Sequence, residues 1–215
     1  MVVQTFSSQS ENRFLKMDRD KAIEESGGTD LKLFYNKIQE LHQSLSESFK
    51  NSFNRSLPFP DELLDRWKRA QNNGFGKGAS IYDSSYIFGD VKVGENTWIG
   101  PFTILDGSGG LEIGSFCSIS AGVQIYTHDT VKWALSSGKY QPKKDSVKIG
   151  DSCYIGPNVL IGKGVEIGSY SVIGTQSFVN KNIPPNSIAF GVPAKIVGEV
   201  VFEKGDILLK YFSKP

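Results

Sequence analysis

His128 and Asp129 are neighbouring acid–base side chains in the stretch Tyr126-Thr127-His128-Asp129. An imidazole can accept a proton from a hydroxyl or an amine at neutral pH. A carboxylate beside it can fix the ring's tautomer and stabilise the imidazolium. Asp129 suits the start of a turn equally well, and a backbone carbonyl could orient the ring in its place. The pair opens the segment THDTVKWALSSGKYQPKKDSVK, in which a regular sequence period lapses over residues 130–146. A loop thrown out of a regular array points to a use outside it, such as an active-site wall. A second set of residues lies in PPNSIAFGVPAKIV, residues 184–197. There the prolines end the preceding array, Gly191 turns the chain, and Lys195 offers a point charge for a phosphate. Lys163 and Lys181 are alternative cations, with a solvated role open to both. Asp106, in LDGSGG, suits a turn, and Trp133 and Tyr140 can pack on a sugar face or on the loop itself.

The array that must position these groups has a period of six. Aliphatic residues recur at Ile81, Ile87, Val93, Ile99 and Leu105, then at Ile113, Ile119 and Ile125. After the loop they return at Ile149, Ile155, Ile161, Ile167, Ile173 and Val179. Six is neither the helical 3.6 nor plain strand alternation. A hexapeptide of the type IGDSCY or IGKGVE supplies one short strand and one corner, with the aliphatic residue pointing inwards. Three such units close a triangular coil, and coils stack ~4.8 Å apart through backbone hydrogen bonds. The fold expected is mainly β, a parallel β-helix of about five coils over residues 79–198 with one extruded loop, 130–146.

Residues 1–78 read as a helical extension. Leu31, Phe34, Ile38, Leu41, Leu45, Phe49 and Phe53 recur at helical spacing, with Thr29 as N-cap, and a second helix fits Pro60 to Asn73 with Gly74 as its stop. Residues 1–28 are polar and are expected to be poorly ordered, and residues 199–215 read as a tail. The helical part is expected to cap the first coil, whose strand edges would otherwise lie open.

Composition narrows the partners. Lys and Arg total 24 against 23 Asp and Glu among the 215 residues, which favours a small-molecule partner over nucleic acid or an anionic membrane. The start, MVVQTFSSQSENRF, lacks the basic-then-apolar order of a secretory signal and no long apolar run follows, so the cytoplasm is the expected location. Cys117 and Cys153 fall at equivalent repeat positions and read as buried reduced thiols. With only His42 and His128 present, a histidine-based metal site is not expected.

The repeats, the TH beside a long loop, and the closing run with GVPAK resemble the hexapeptide-repeat acetyltransferases of the galactoside, xenobiotic and sugar O-acetyltransferase type. The resemblance covers residues 79–198, and it implies a left-handed β-helix, against the usual handedness of parallel crossovers. It implies acetyl-CoA as donor, a homotrimer with active sites between subunits, and His128 as the base for direct attack on the thioester. Asp129 would orient His128, and the N–H of Gly156, ahead of that of Asn158, would stabilise the oxyanion in place of Pro157, which has no N–H. Gly156, Gly174, Ala189, Gly191, Pro193, Ala194 and Lys195 would line the CoA, and Asp106, Tyr126 and Trp133 the acceptor. The acceptor would be a hydroxyl on a sugar or glycan precursor. The alternatives are N-acetylation of a nucleotide-linked amino sugar, an acyl carrier protein as donor, or a non-catalytic solenoid scaffold.

Overall fold

The structure is a computed structural model that describes residues 19–212 of the chain. The chain divides into two compact units, residues 1–56 and 57–215.

In the first unit, helix α1 (Arg19–Phe53) is interrupted at Gly28, whose φ of 66° and ψ of −162° are non-helical. The apolar spacing from Leu31 to Phe53 therefore lies on one uninterrupted helical stretch. Residues 19–27, expected to be poorly ordered, are helical, and residues 1–18 of that segment lie outside the described residues.

The second unit begins with α2 (Phe59–Leu63) and α3 (Arg66–Asn72). The Asp65 carboxylate caps α3 by accepting from Trp67 and Lys68 N–H. Both helices seal the first coil. The buried Asp61 carboxylate accepts from the N–H of Asp83 at 2.6 Å and of Ser84 at 3.2 Å, while Arg69 donates to Ser85 O at 2.7 Å. Helices that sequence reading assigned to the extension thus share a unit with the solenoid.

The strands follow in order: β1 (Ser80–Ile81), β2 (Tyr86–Val93), β3 (Trp98–Ile99), β4 (Ile104–Ile113), β5 (Ser118–Ile119), β6 (Gln124–Ile125) and β7 (His128–Asp129). The loop holds α4 (Val131–Leu135) and β8 (Lys143–Lys144). Then come β9 (Val147–Ile149), β10 (Tyr154–Ile155), β11 (Leu160–Ile161), β12 (Glu166–Ile167), β13 (Val172–Ile173) and β14 (Phe178–Val179). The chain closes with β15 (Ser187–Gly191), β16 (Ala194–Glu203) and β17 (Asp206–Tyr211).

The first face of the solenoid stacks β1, β3, β5, β10, β13 and β15 in parallel, so the chain makes about six turns. The second face stacks the first halves of β2 and β4 with β6, β11 and β14. The third stacks their second halves with β9 and β12. In-register pairing puts every inward aliphatic residue over its equivalent one coil away, as Ile119, Ile155 and Ile173, all fully buried, show. These columns are the core. Cys117 and Cys153 are buried free thiols in successive coils, bonded to Gly150 O and Gly168 O. Residues 199–211, read as tail, are strand apart from a turn at 204–205: β16 pairs antiparallel with β15 and with β17.

Candidate active site

The corner between the second and third faces carries the acid–base chemistry. β4 rounds this corner as Asp106-Gly107-Ser108-Gly109-Gly110, and one coil on the chain leaves the second face through Tyr126, Thr127 and His128 into the loop. Ile104 pairs with Gln124 and Leu105 with Ile125, so Asp106 comes to the foot of the departing segment.

Thr127 is the fastening. Its N–H donates to Asp106 Oδ2 at 2.9 Å, and its hydroxyl donates to Asp106 O at 2.8 Å while accepting from Gly109 N–H at 2.7 Å. A Cβ at Gly109 would stand 2.5 Å from Thr127 O, so only glycine permits this approach. His128 Nδ1 then lies 2.6 Å from Asp106 Oδ2. Asp106 is 1 % exposed, and the His128 side chain is 34 % exposed. The imidazole thus joins an enclosed carboxylate to solvent.

Burial raises the pKa of Asp106. Hydrogen bonds from the Ser108 side chain and N–H, from Thr127 N–H and from His128 more than offset it, and the carboxyl is held down to about 2. Asp106 is a carboxylate at neutral pH and can only accept, so neutral His128 carries its proton on Nδ1 and presents the Nε2 lone pair. A ring fixed in this way has its free lone pair available to accept a proton.

Asp129, expected to orient the imidazole, turns away from it because successive strand residues face opposite sides. Its carboxylate accepts from Val131 N–H at 3.0 Å and lies 3.2 Å from Lys163 Nζ, and these two partners hold its pKa below the usual range. Lys163 also lies 3.5 Å from Asp145 Oδ2, and both carboxylates raise its pKa, Asp129 foremost. The two ends of the loop are therefore tied to one lysine, beside the antiparallel pairing of His128 with Lys144 and Asp129 with Lys143. Lys163 is a loop anchor here rather than a free cation.

Among the other acceptor-side residues, Tyr126 donates its hydroxyl to Gln124 Oε1 at 3.0 Å on the second face. Trp133 is half-exposed on α4 and packs against Gly138, while Tyr140 receives the Lys132 ammonium 5.9 Å above its ring. Both aromatics sit in the loop.

The residues expected to line CoA gather at a different corner, between the first and second faces. Gly156 and Gly174 occupy it in successive coils, and Gly191 N–H donates to Ser177 Oγ there at 3.1 Å. A Cβ at Gly156 would lie 2.8 Å from Thr175 N, and one at Gly174 2.7 Å from Phe190 Cβ. Gly191, Pro193, Ala194 and Lys195 form the end of the β15–β16 hairpin, where Gly191 pairs with Ala194, Phe190 with exposed Lys195, and the Val192–Pro193 peptide is cis. Two of these assignments are corrected. Ala189 is fully buried, so its side chain belongs to the core. Gly156 N–H is already donated to Ile173 O at 2.8 Å, and Asn158 N–H to Ala121 O at 3.0 Å, so the ladder between coils consumes both oxyanion donors considered beside Pro157. Within one chain the second face separates the glycine corner from the histidine corner.

The family profile described as bacterial transferase hexapeptide (six repeats) matches residues 146–181. No curated protein matches the chain. Among solved structures, a hexapeptide-repeat-containing acetyltransferase from Vibrio cholerae is 27 % identical with a TM-score of 0.56, over 76 % of this chain and 92 % of that one. Galactoside acetyltransferase in complex with coenzyme A is 26 % identical with a TM-score of 0.57, over 75 % and 82 %. A point variant of AntD, an N-acyltransferase from Bacillus cereus in complex with dTDP and coenzyme A, is 26 % identical with a TM-score of 0.54, over 58 % and 72 %. Described residues include no helix long and apolar enough to cross a membrane. The chain carries hexapeptide repeats that the family profile matches over residues 146–181, and its fold is similar to that of hexapeptide-repeat acetyltransferases.

Proposed function

We propose that this chain is an acetyl-CoA-dependent acetyltransferase whose acceptor is a hydroxyl of a sugar or glycan precursor. The observation that carries the reading is the contact of His128 Nδ1 with the enclosed Asp106 carboxylate. His128 Nε2 takes the acceptor proton as the acceptor oxygen attacks the thioester carbonyl. The tetrahedral oxyanion collapses by breaking the carbon–sulfur bond, and the departing thiolate receives the proton from His128. Asp106 stays ionised throughout and stabilises the imidazolium. The half-exposed imidazole and the tied-down loop leave room for an acceptor, and solved structures similar in fold contain coenzyme A.

The donor would lie along the glycine corner, with Lys195 at a phosphate. Because that corner and His128 are apart within one chain, the working unit would be a homotrimer in which the histidine corner of one subunit faces the glycine corner of its neighbour. Such an enzyme would use the cytoplasmic acetyl-CoA pool and serve polysaccharide assembly.

One second reading has an observation in its favour. AntD, similar in fold, is an N-acyltransferase solved with dTDP, which fits N-acetylation of a nucleotide-linked amino sugar. Calorimetric titration of acetyl-CoA into wild type and Lys195→Ala tests the donor, and CoA release with hydroxyl and amino acceptors separates the two readings. Micromolar binding weakened in the variant supports the assignment, and absence of binding by the wild type overturns it. An ammonium is deprotonated at pH ~8–10 without enzyme help, so loss of His128 should harm O-transfer more than N-transfer.

A further inference from the structure

An aromatic surface adjoins the dyad and has no part in the steps above. β2 pairs in parallel with β4, setting Tyr86 beside Ile104, Ile87 beside Leu105 and Phe88 beside Asp106. Strand alternation turns Ile87 towards the core and leaves Tyr86 61 % and Phe88 50 % exposed. Their rings are parallel to within 13°, with centroids 6.1 Å apart. Asp106, at the same register as Phe88, is covered by Thr127 and His128. The slab therefore lies one strand spacing, ~4.8 Å, from the carboxylate that holds the imidazole. The residues that continue the Tyr86 column, Ile104 and Gln124, are uncharged.

We propose that Tyr86 and Phe88 are the floor of the acceptor subsite and receive the apolar C–H face of an uncharged pyranoside. This rests on the acyl-transfer reading of His128. A pyranose has C–H groups on one face and hydroxyls at its rim, so seating that face against the exposed side of the stacked pair buries apolar area while a rim hydroxyl stays free to meet Nε2. A nucleotide-linked sugar would instead bring a diphosphate to two neutral side chains beside the Asp106 carboxylate, where the neighbouring cation, Arg69, is already paired with Asp83 at 3.4 Å and donates to Ser85 O. The pair would accordingly select neutral glycosides over nucleotide-linked sugars.

The test is CoA release at saturating acetyl-CoA with methyl glucoside, methyl galactoside, methyl mannoside and UDP-N-acetylglucosamine, for wild type, Tyr86→Ala, Phe88→Ala and Phe88→Trp. The wild type should favour a methyl glycoside in kcat/KM by at least about tenfold, and Phe88→Ala should raise that glycoside's KM about tenfold with kcat within about twofold. Phe88→Trp should restore the KM, and the KM for acetyl-CoA should not move in any variant. Both side chains lie outside the core, so melting curves of the variants should overlay the wild type. Unchanged glycoside KM in both alanine variants, or preference for the UDP-sugar, overturns the subsite while leaving acyl transfer standing. A wild type that neither binds acetyl-CoA nor acetylates any acceptor removes the acyl-transfer reading, and the subsite falls with it.

Discussion

The Asp106 carboxylate and the His128 imidazole, 22 positions apart in sequence, meet at 2.6 Å because one coil of the solenoid separates them. The contact makes Asp106, rather than Asp129, the group that positions the imidazole. Asp106→Asn keeps the shape but lets the side chain donate to the ring, which favours the wrong tautomer. We expect kcat to fall roughly 10²- to 10⁴-fold with the KM for acetyl-CoA unchanged, measured by steady-state CoA release. A loss below about threefold would assign Asp106 to structure alone.

The two acidic residues flanking the base should separate cleanly. Asp129 and Asp145 share Lys163, so Asp129→Asn or Lys163→Met frees one end of the loop without touching the imidazole. Activity should drop less than about tenfold, far short of the Asp106 variant, and the denaturant midpoint should barely move because the pairs face solvent. Limited proteolysis should cut residues 130–146 sooner in Lys163→Met than in wild type. Equal cutting rates would show that the ion pairs do not restrain the loop.

Asp106 also couples stability to acid. Its folded pKa, about 2, lies below its ordinary 3.8, so the stabilisation is complete above pH 4 and is lost as pH falls from about 4 to about 2. The shift corresponds to about 2 kcal/mol. Denaturant titrations between pH 2 and 6 should show wild type losing this much more than Asp106→Asn. Parallel curves for the two proteins would mean that the carboxylate is not held ionised.

Stability at neutral pH rests on the inward columns. Ile155 is fully buried between Ile119 and Ile173, and Ile155→Ala should cost about 2–5 kcal/mol in denaturant unfolding, since in-register neighbours cannot close the gap. A cost below about 1 kcal/mol would show that adjacent coils relax into the cavity.

Much of this was legible in the residues themselves. The period of six, the inward aliphatic positions and the lapse at 130–146 follow from patterning, because each coil repeats the same packing problem. The position of His128 at the lapse was legible too, and it made the residue a candidate. Its partner was not, since sequence adjacency suggested Asp129. Counting coil register from Leu105 to Ile125 would have set Asp106 two residues from His128, a signal present in the repeat. The Gly156 assignment failed for another physical reason: a motif marks where a backbone N–H is, not whether the neighbouring coil already uses it. The β16–β17 strands escaped notice because they leave the hexapeptide period and pair antiparallel.

The separation of the histidine corner from the glycine corner has a genetic consequence. In the proposed trimer each reaction centre draws its base from one subunit and its donor groove from the next. Two inactive chains, one crippled at His128 and the other at the β15–β16 hairpin, should then recover part of their activity when refolded together, because some junctions in the mixed assemblies bring an intact base against an intact groove.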